Sequence, residues 1–166
     1  MSEEQQYLIS YALKLLACCR YTVAEMKSKL IKKQKKIGSG TPEDIKQVAN
    51  RLQDLKLLDD AQYAALYIRD HLLRKPQGIK LLKLNMARKG LPKEIIAQAL
   101  EAASPDESIL ARKAAAKKIK TLQRQPSQKK KERLARFLAS RGFGMRSIIG
   151  ILKSFPSSAE EDYQSP

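Results

Sequence analysis

The chain has 166 residues, a net charge of +16 and a sequence pI of about 9.9. A charge this positive favours an acidic partner, which could be nucleic acid, an anionic membrane surface or an acidic protein surface. The acidic opening MSEEQQY is unlike a secretory signal, and no apolar run reaches the ~18 residues of a spanning helix,. We therefore expect a soluble cytoplasmic protein without membrane association.

Apolar spacing and capping residues predict the first two helices. Cys18 and Cys19 are the only cysteines, and they lie next to each other in an apolar run with helical spacing. Such a pair cannot link distant segments, so we expect both to be small core residues. In YTVAEMKSKL, Thr22 and Glu25 have the spacing of a capping box, which predicts the start of a second helix.

A basic segment separates this second helix from a third. The stretch KKQKKIGSG is interpreted as a basic loop that contains Lys32 and Lys33. Thr41, with proline and then a carboxylate after it, predicts the start of the third helix. Its apolar face has helical spacing and consists of Ile45, Val48, Ala49, Leu52 and Leu55.

Helical patterns continue to the C-terminal end. Asp59 or Asp60 is expected to start a fourth helix, which Pro76 and Gly78 would terminate. In SPDESIL, Ser104 is the predicted N-cap of a later helix. We count nine helices, and no segment alternates convincingly at the period of a strand. The predicted fold class is all-α.

The sequence repeats itself at a distance of 52 residues. NMARKGLPKEIIAQAL and FLASRGFGMRSIIGIL align on Gly90 and Gly142, with apolar residues at equivalent positions. A glycine after a helix favours the left-handed conformation that ends it. Each phrase therefore predicts a helix, a glycine stop and another helix; in the second, Gly144 would open the new helix and Phe143 would pack between the two.

With the helix that precedes each phrase, the repeat becomes a three-helix unit. We expect an elongated tandem array of three such units at residues 1–55, 56–103 and 104–156. The acidic tail, 157–166, is expected to be disordered.

Positive charge is concentrated in the third repeat. Residues 104–156 hold fourteen basic and three acidic side chains, a net charge of +11, whereas each earlier repeat has +4. Four cations share one face of the predicted seventh helix, and three share one side of the eighth. With two lysines of the basic loop, the candidate binding residues are Lys113, Lys117, Lys120 and Arg124; Lys129, Arg133 and Arg136; Lys32 and Lys33.

Two interpretations of these cations stay open. They could bind phosphates or carboxylates, or they could form a solvated surface that keeps the chain soluble. The scarcity of nearby acids favours binding on the seventh and eighth helices, while the loop lysines are evenly balanced. Aromatic residues do not alternate with cations along the sequence, as a stacking platform for single strands would require. Most tyrosines are therefore expected in the core.

The sequence carries no catalytic or metal-binding signature. Its single histidine, His71, is interpreted as a surface position on a helix. There is no phosphate-cradling glycine loop and no paired Cys-x-x-Cys. Most acidic residues lie at helix starts or in the tail, where capping and the helix dipole explain them. We expect no enzyme, no cofactor and no metal site.

Four stretches follow one another between residues 12 and 153: ALKLLACCRYTVAEMKSKL, LLDDAQYAALYIRDHL, PQGIKLLKLNMARKGL and FLASRGFGMRSIIGIL. The most specific parts are the Leu-Asp-Asp…Tyr-Ala phrase, 58–64, and the Arg-Gly-Phe turn, 141–143. In this order they resemble the RecX family of bacterial regulatory proteins. The chain departs from that family at Gly144, where Ser or a similar cap is usual, although glycine is itself an acceptable N-cap.

This resemblance implies tandem three-helix repeats and a specific partner. RecX-like proteins bind the RecA recombinase along the groove of its filament on single-stranded DNA. They inhibit its ATP hydrolysis, strand exchange and co-protease activity, in DNA recombination, DNA repair and the SOS response. We also expect the chain to be a monomer and to bind single- or double-stranded DNA weakly. The alternative is a basic helical-repeat protein that binds nucleic acid independently of RecA.

Overall fold

The computed structural model describes residues 2–122 and 126–154. All regular secondary structure in these residues is helical, which confirms the all-α prediction and the expected number of helices. None of the described helices is both long and apolar enough to cross a membrane. The expectation for the tail, 157–166, falls outside the described residues. The helices are α1 (Glu3–Cys18), α2 (Val23–Ile37), α3 (Pro42–Asp54), α4 (Asp60–Leu73), α5 (Ile79–Arg88), α6 (Lys93–Ala103), α7 (Glu107–Thr121), α8 (Ser127–Ser140) and α9 (Met145–Lys153).

The two predicted threonine N-caps are confirmed, and the predicted N-cap Ser104 is wrong. Thr22 and Thr41 cap α2 and α3, each as part of a capping box. The predicted cap Ser104 instead has a φ of +36°, and α7 begins only at Glu107. Asp106 caps α7 by accepting the N–H groups of the second and third helical residues. An N-cap residue usually has an extended backbone, which Asp106 adopts and Ser104, with its positive φ, does not,.

The segment interpreted as a basic loop is mostly helix. Helix α2 continues to Ile37 and ends at Gly38, which has a left-handed φ of 76°. Lysine has a good helix propensity, and cations in the last turn interact favourably with the negative end of the helix dipole. Lys32 and Lys33 therefore lie on α2, and the loop prediction is wrong.

The described chain divides into two compact units. The first unit comprises residues 2–67 and 85–102. In it, α1, α2 and α3 pack against one another. The predicted apolar face of α3 is buried except for Leu55, which is exposed because α3 ends at Asp54. The core of this unit contains Leu8, Ala12, Met26, Leu30, Ile45, Val48, Leu52 and Leu58.

The cysteines do not belong to this core. Both Cys18 and Cys19 are exposed, so the prediction that they are buried is wrong. Helix α1 ends at Cys18, and Cys19 leaves it in an extended conformation. Only Leu8 and Ala12 of α1 are buried. The apolar run that contains the cysteines therefore extends beyond the buried face of this helix.

The second unit comprises residues 68–84, 103–122 and 126–154. Helices α7, α8 and α9 pack against one another. Phe143 is buried among them and Gly144 is the N-cap of α9, which confirms both predictions. The core contains Leu110, Ala111, Ala114, Ala115, Leu134, Leu138, Phe143, Ile148 and Ile151. Since α4 and α5 contribute to both units, the repeat boundaries inferred from sequence stay a prediction.

A tight corner in the first unit joins the end of α5 to the start of α2. Gly90 follows α5 with a φ of +81°, as predicted for a glycine stop. The buried Thr22 hydroxyl donates a hydrogen bond of 2.6 Å to the carbonyl of Lys89. A Cβ atom at Gly90 would overlap the side chain of Ala24. We call these four residues, Thr22, Ala24, Lys89 and Gly90, the α2 joint.

The second unit contains the equivalent corner at the start of α5. Gly142 follows α8 with a φ of +75°. The N–H of Gly78 donates to the carbonyl of Arg141 at 2.9 Å. A Cβ atom at Gly78 would overlap the Gly142 carbonyl, and one at Gly142 would overlap Leu81. We call Gly78, Leu81, Arg141 and Gly142 the α5 joint.

The two joints have the same arrangement, and their accepting residues follow the 52-residue repeat. Lys89 and Arg141 are the accepting residues at equivalent positions, and each donor directly precedes a helix. The residue before α8 is Pro126, which makes no side-chain capping hydrogen bond. The repeat seen in the sequence is therefore also a repeat of contacts.

The close backbone contact in the α5 joint predicts that adding a single methyl group there destabilises the fold. Gly78→Ala should lower the free energy of unfolding by about 1–3 kcal/mol, because the added methyl group overlaps backbone atoms. Urea denaturation followed by circular dichroism measures this change. Gly150→Ala is the matched control: Gly150 lies in α9 with no neighbour near its Cβ position, and alanine there should stabilise the helix by up to ~1 kcal/mol,. Equal stability of Gly78→Ala and the parent would contradict the joint.

Candidate partner-binding surfaces

Helix α7 presents its predicted cations on its exposed side. Leu110, Ala111, Ala114 and Ala115 occupy the core side. Lys113, Lys117 and Lys120 are therefore exposed, and the Lys117 ammonium donates to the carbonyl of Arg74 at 3.4 Å. The fourth predicted member of this stripe, Arg124, lies outside the described residues.

Helix α8 has the same division into two sides. Leu134 and Leu138 are fully buried, and Lys129, Arg133 and Arg136 are exposed. Arg136 lies 3.6 Å from Glu132, one turn earlier, in an exposed ion pair. Exposed pairs of this kind contribute little to stability, so the pair leaves the arginine available for other contacts. We call the described cations of both helices the second-unit cations: Lys113, Lys117, Lys120, Lys129, Arg133 and Arg136.

Sequence spacing missed an aromatic residue among these helices. The half-buried Phe137 of α8 has the Lys118 ammonium 5.5 Å and the Arg141 guanidinium 5.1 Å from its ring centroid. Cations at this distance are attracted to the face of an aromatic ring. Arg141 follows Phe137 by four residues, a spacing that could have indicated this contact. Lys118 comes from another helix and could not have been found from spacing.

On α2, the structure distinguishes the two predicted lysines. Lys33 lies 5.2 Å from the ring centroid of Tyr7 and 5.3 Å from that of Tyr11. A hydrogen bond to Tyr7 raises the pKa of Lys33 above its ordinary value. Lys32 is exposed. Lys33 thus connects α2 to α1, while Lys32 points to solvent.

Aromatic residues and cations are therefore neighbours in space although not along the chain. Lys29 stacks on Tyr21 at 5.0 Å, and Tyr21 packs against the core of the first unit together with Tyr11. Tyr7 is 49% exposed, so the expectation of a core position is wrong for this residue.

Lys89, a cation of the α2 joint, also contacts an aromatic ring. Its ammonium lies 2.9 Å from Glu25 Oε1 and 5.7 Å from the ring centroid of Tyr63. The hydrogen bond to Glu25 is the main reason that the pKa of Lys89 is raised. Asp60 accepts the Val23 N–H at 2.9 Å, and partial burial raises its pKa. These side chains satisfy the start of α2 and leave Lys89 with a structural role.

The single histidine lies on a helix, as expected, but only part of it is exposed. His71 is half-buried on α4. In the part of the chain that the structure describes, no three His, Cys, Asp or Glu side chains are placed to hold a metal ion.

The fold and its joints define a helical-repeat protein built from three-helix domains, with cationic faces on its exposed helices. Residues 59–100 match the family model described as RecX, second three-helix domain, and residues 106–148 match the third. A protein named "Regulatory protein RecX" from Chlorobaculum tepidum is 39% identical over 87% of this chain and 86% of its own length. Another, from Chromohalobacter salexigens, is 33% identical over 82% and 85%. The chain belongs to the RecX family.

Solved structures support the same fold. A crystal structure titled as RecX from Lactobacillus salivarius covers 93% of this chain and 98% of its own, with a TM-score of 0.74 and 23% identity. A second, titled as regulatory protein RecX, covers 91% and 73%, with a TM-score of 0.72 and 25% identity. These likenesses concern the arrangement of helices.

The contrast between the two α2 lysines can be tested. Lys33→Ala should lower the melting temperature, because it removes a cation held by two tyrosine rings. Lys32→Ala, which removes the same charge one position earlier, should leave it unchanged. Thermal unfolding by circular dichroism measures both. If the two variants melt alike, Lys33 does not connect the helices.

Proposed function

We propose that this chain binds the RecA filament on single-stranded DNA and inhibits RecA's ATP hydrolysis, strand exchange and co-protease activity. The observation that carries the proposal is membership of the RecX family, with 39% identity across 86% of a relative named as a regulatory protein. The proposed setting is cytoplasmic recombination, DNA repair and the SOS response. The chain would act as a monomer and a non-catalytic regulator.

The charge of the second unit supports this proposal physically. Helices α7 and α8 each contain a single acidic residue, Glu107 and Glu132. From Lys113 to Lys120 the helix rises about 10 Å, which spaces the exposed cations to meet more than one phosphate or carboxylate. Several weak contacts made together along a repetitive partner add up to high avidity. A filament of identical subunits on DNA is such a partner.

A second candidate function is nucleic-acid binding without RecA. The exposed positions of the second-unit cations favour it. Binding of this kind depends on counterion release, so its affinity should fall steeply between ~50 and ~200 mM salt. Absence of binding to single- and double-stranded DNA at ~50 mM salt would exclude it. The two functions are compatible, since weak DNA binding would concentrate the chain near its filament.

The direct test uses purified RecA, ATP and single-stranded DNA. Increasing amounts of this protein should slow ATP hydrolysis and strand exchange in proportion to the occupied filament. A DNA-independent ATPase serves as the control for nonspecific inhibition. Unchanged RecA hydrolysis and strand exchange at excess protein would contradict the proposal.

Reversing the charge of the α7 lysines tests whether they contact RecA, DNA or both. The triple variant Lys113→Glu, Lys117→Glu, Lys120→Glu should weaken RecA inhibition, because these exposed side chains face away from the α7 core. If they contact phosphates, the salt dependence of DNA binding should also fall by about one unit of slope per lysine.

The matched control reverses three exposed lysines of the first unit, Lys14, Lys46 and Lys93. It makes the same change in net charge away from α7. If both triple variants lose inhibition equally, overall charge and not the α7 surface is responsible. Loss of DNA binding without loss of inhibition would assign the α7 lysines to DNA contact alone.

A further inference from the structure

The second unit contains an open groove of about 460 Å³ between the start of α5 and the corner that connects α8 to α9. Its lining is mostly apolar and includes Leu81, Leu84, Phe143, Met145 and Ile148. Met145 is 70% exposed and Leu84 is 46% exposed, so apolar surface faces solvent on both sides. Exposed apolar surface grouped around a groove is typical of a docking site.

Three cations belong to the helices that line this groove. Lys80 lines the groove, and Lys83 and Arg146 are exposed residues directly next to Leu84 and Met145 in the chain. The one carboxylate in the lining, Glu107, accepts the Gly144 N–H and is thereby engaged at the start of α9. The groove therefore suits an acidic segment that carries an aromatic or other apolar anchor.

We infer that the groove binds the chain's own C-terminal segment, residues 155–166, with Tyr163 as the anchor. This segment reads FPSSAEEDYQSP, so three consecutive acids directly precede the tyrosine. Its pattern of carboxylates followed by an aromatic ring matches a cationic rim around an apolar floor. The segment has a net charge of −3, whereas the third repeat to which it is attached has +11.

The covalent distance permits this contact. Met145 and Ser154 are nine residues apart along α9, which corresponds to about 13 Å of helix. The eight residues 155–162 can span up to ~27 Å when extended, so Tyr163 can return along α9 to its first residue. A short tether also gives the segment an effective concentration near the millimolar range. Another acidic segment would have to displace Tyr163 before it could enter the groove.

Fluorescence of the full-length chain tests the contact, because the native sequence contains no tryptophan. Tyr163→Trp introduces a single reporter. When the reporter is docked, its emission should shift to shorter wavelength, and acrylamide should quench it severalfold less than in the free peptide SSAEEDWQSP. Reversing Glu160, Glu161 and Asp162 to lysine should abolish this protection.

Substitutions in the groove, made in the Tyr163→Trp protein, test whether the groove is the surface that protects the reporter. Met145→Glu should expose the reporter, and a carboxylate in the first turn of α9 is compatible with helix stability. Leu73→Glu is the matched control: Leu73 is 69% exposed, lies in the same unit and does not line the groove. It should leave the reporter protected. Melting curves of both variants establish that each is folded.

Three results would overturn the inference. The first is a reporter that is as accessible in the full chain as in the free peptide. The second is equal exposure in Met145→Glu and Leu73→Glu. The third is protection that grows with protein concentration, which would assign the groove to the segment of another copy. None of these measurements uses RecA or DNA, so they are independent of the proposed function.

Discussion

The structure depends on close backbone approach at two glycine corners. At each corner, a helix ends in a left-handed glycine, and the carbonyl just before it accepts a hydrogen bond from the residue that opens another helix. A buried carbonyl without a partner would be costly, so the donor and the small residue are needed together. In the second unit, this approach also places Leu81 against Gly142, and both residues line the groove.

The start of α2 shows how much chemistry one corner can use. The Thr22 hydroxyl both donates to Lys89 and accepts from the Glu25 N–H, while Glu25 binds the ammonium of Lys89. The first N–H groups of a helix have no partner within the helix. Here Asp60 of α4 accepts the N–H of Val23, and the side chain of Glu25, in α2 itself, accepts the N–H of Thr22,. At the α5 joint the same position is a glycine that donates through its backbone. One geometry is thus made by two different residue types.

Local signals in the sequence predicted much of the fold. The capping boxes at Thr22 and Thr41 and the glycine stops are set by neighbouring residues, so they could be read directly. The exposed faces of α7 and α8 followed from helical spacing in the same way. The exposure of both cysteines could not be predicted in this way, because it depends on where α1 ends relative to the helices that pack against it. The contacts of Lys33 with Tyr7 and of Lys118 with Phe137 join separate helices, and no spacing along the chain encodes them.

The residue just before a repeat's second helix determines whether that helix can form such a corner. Threonine provides a hydroxyl before α2, and glycine provides a backbone N–H before α5, but Pro126 before α8 has neither group,. Position 126 therefore offers no donor for a third corner of this kind. A corner of the same geometry at the start of α8 would require a residue with a hydroxyl or a backbone N–H at position 126,.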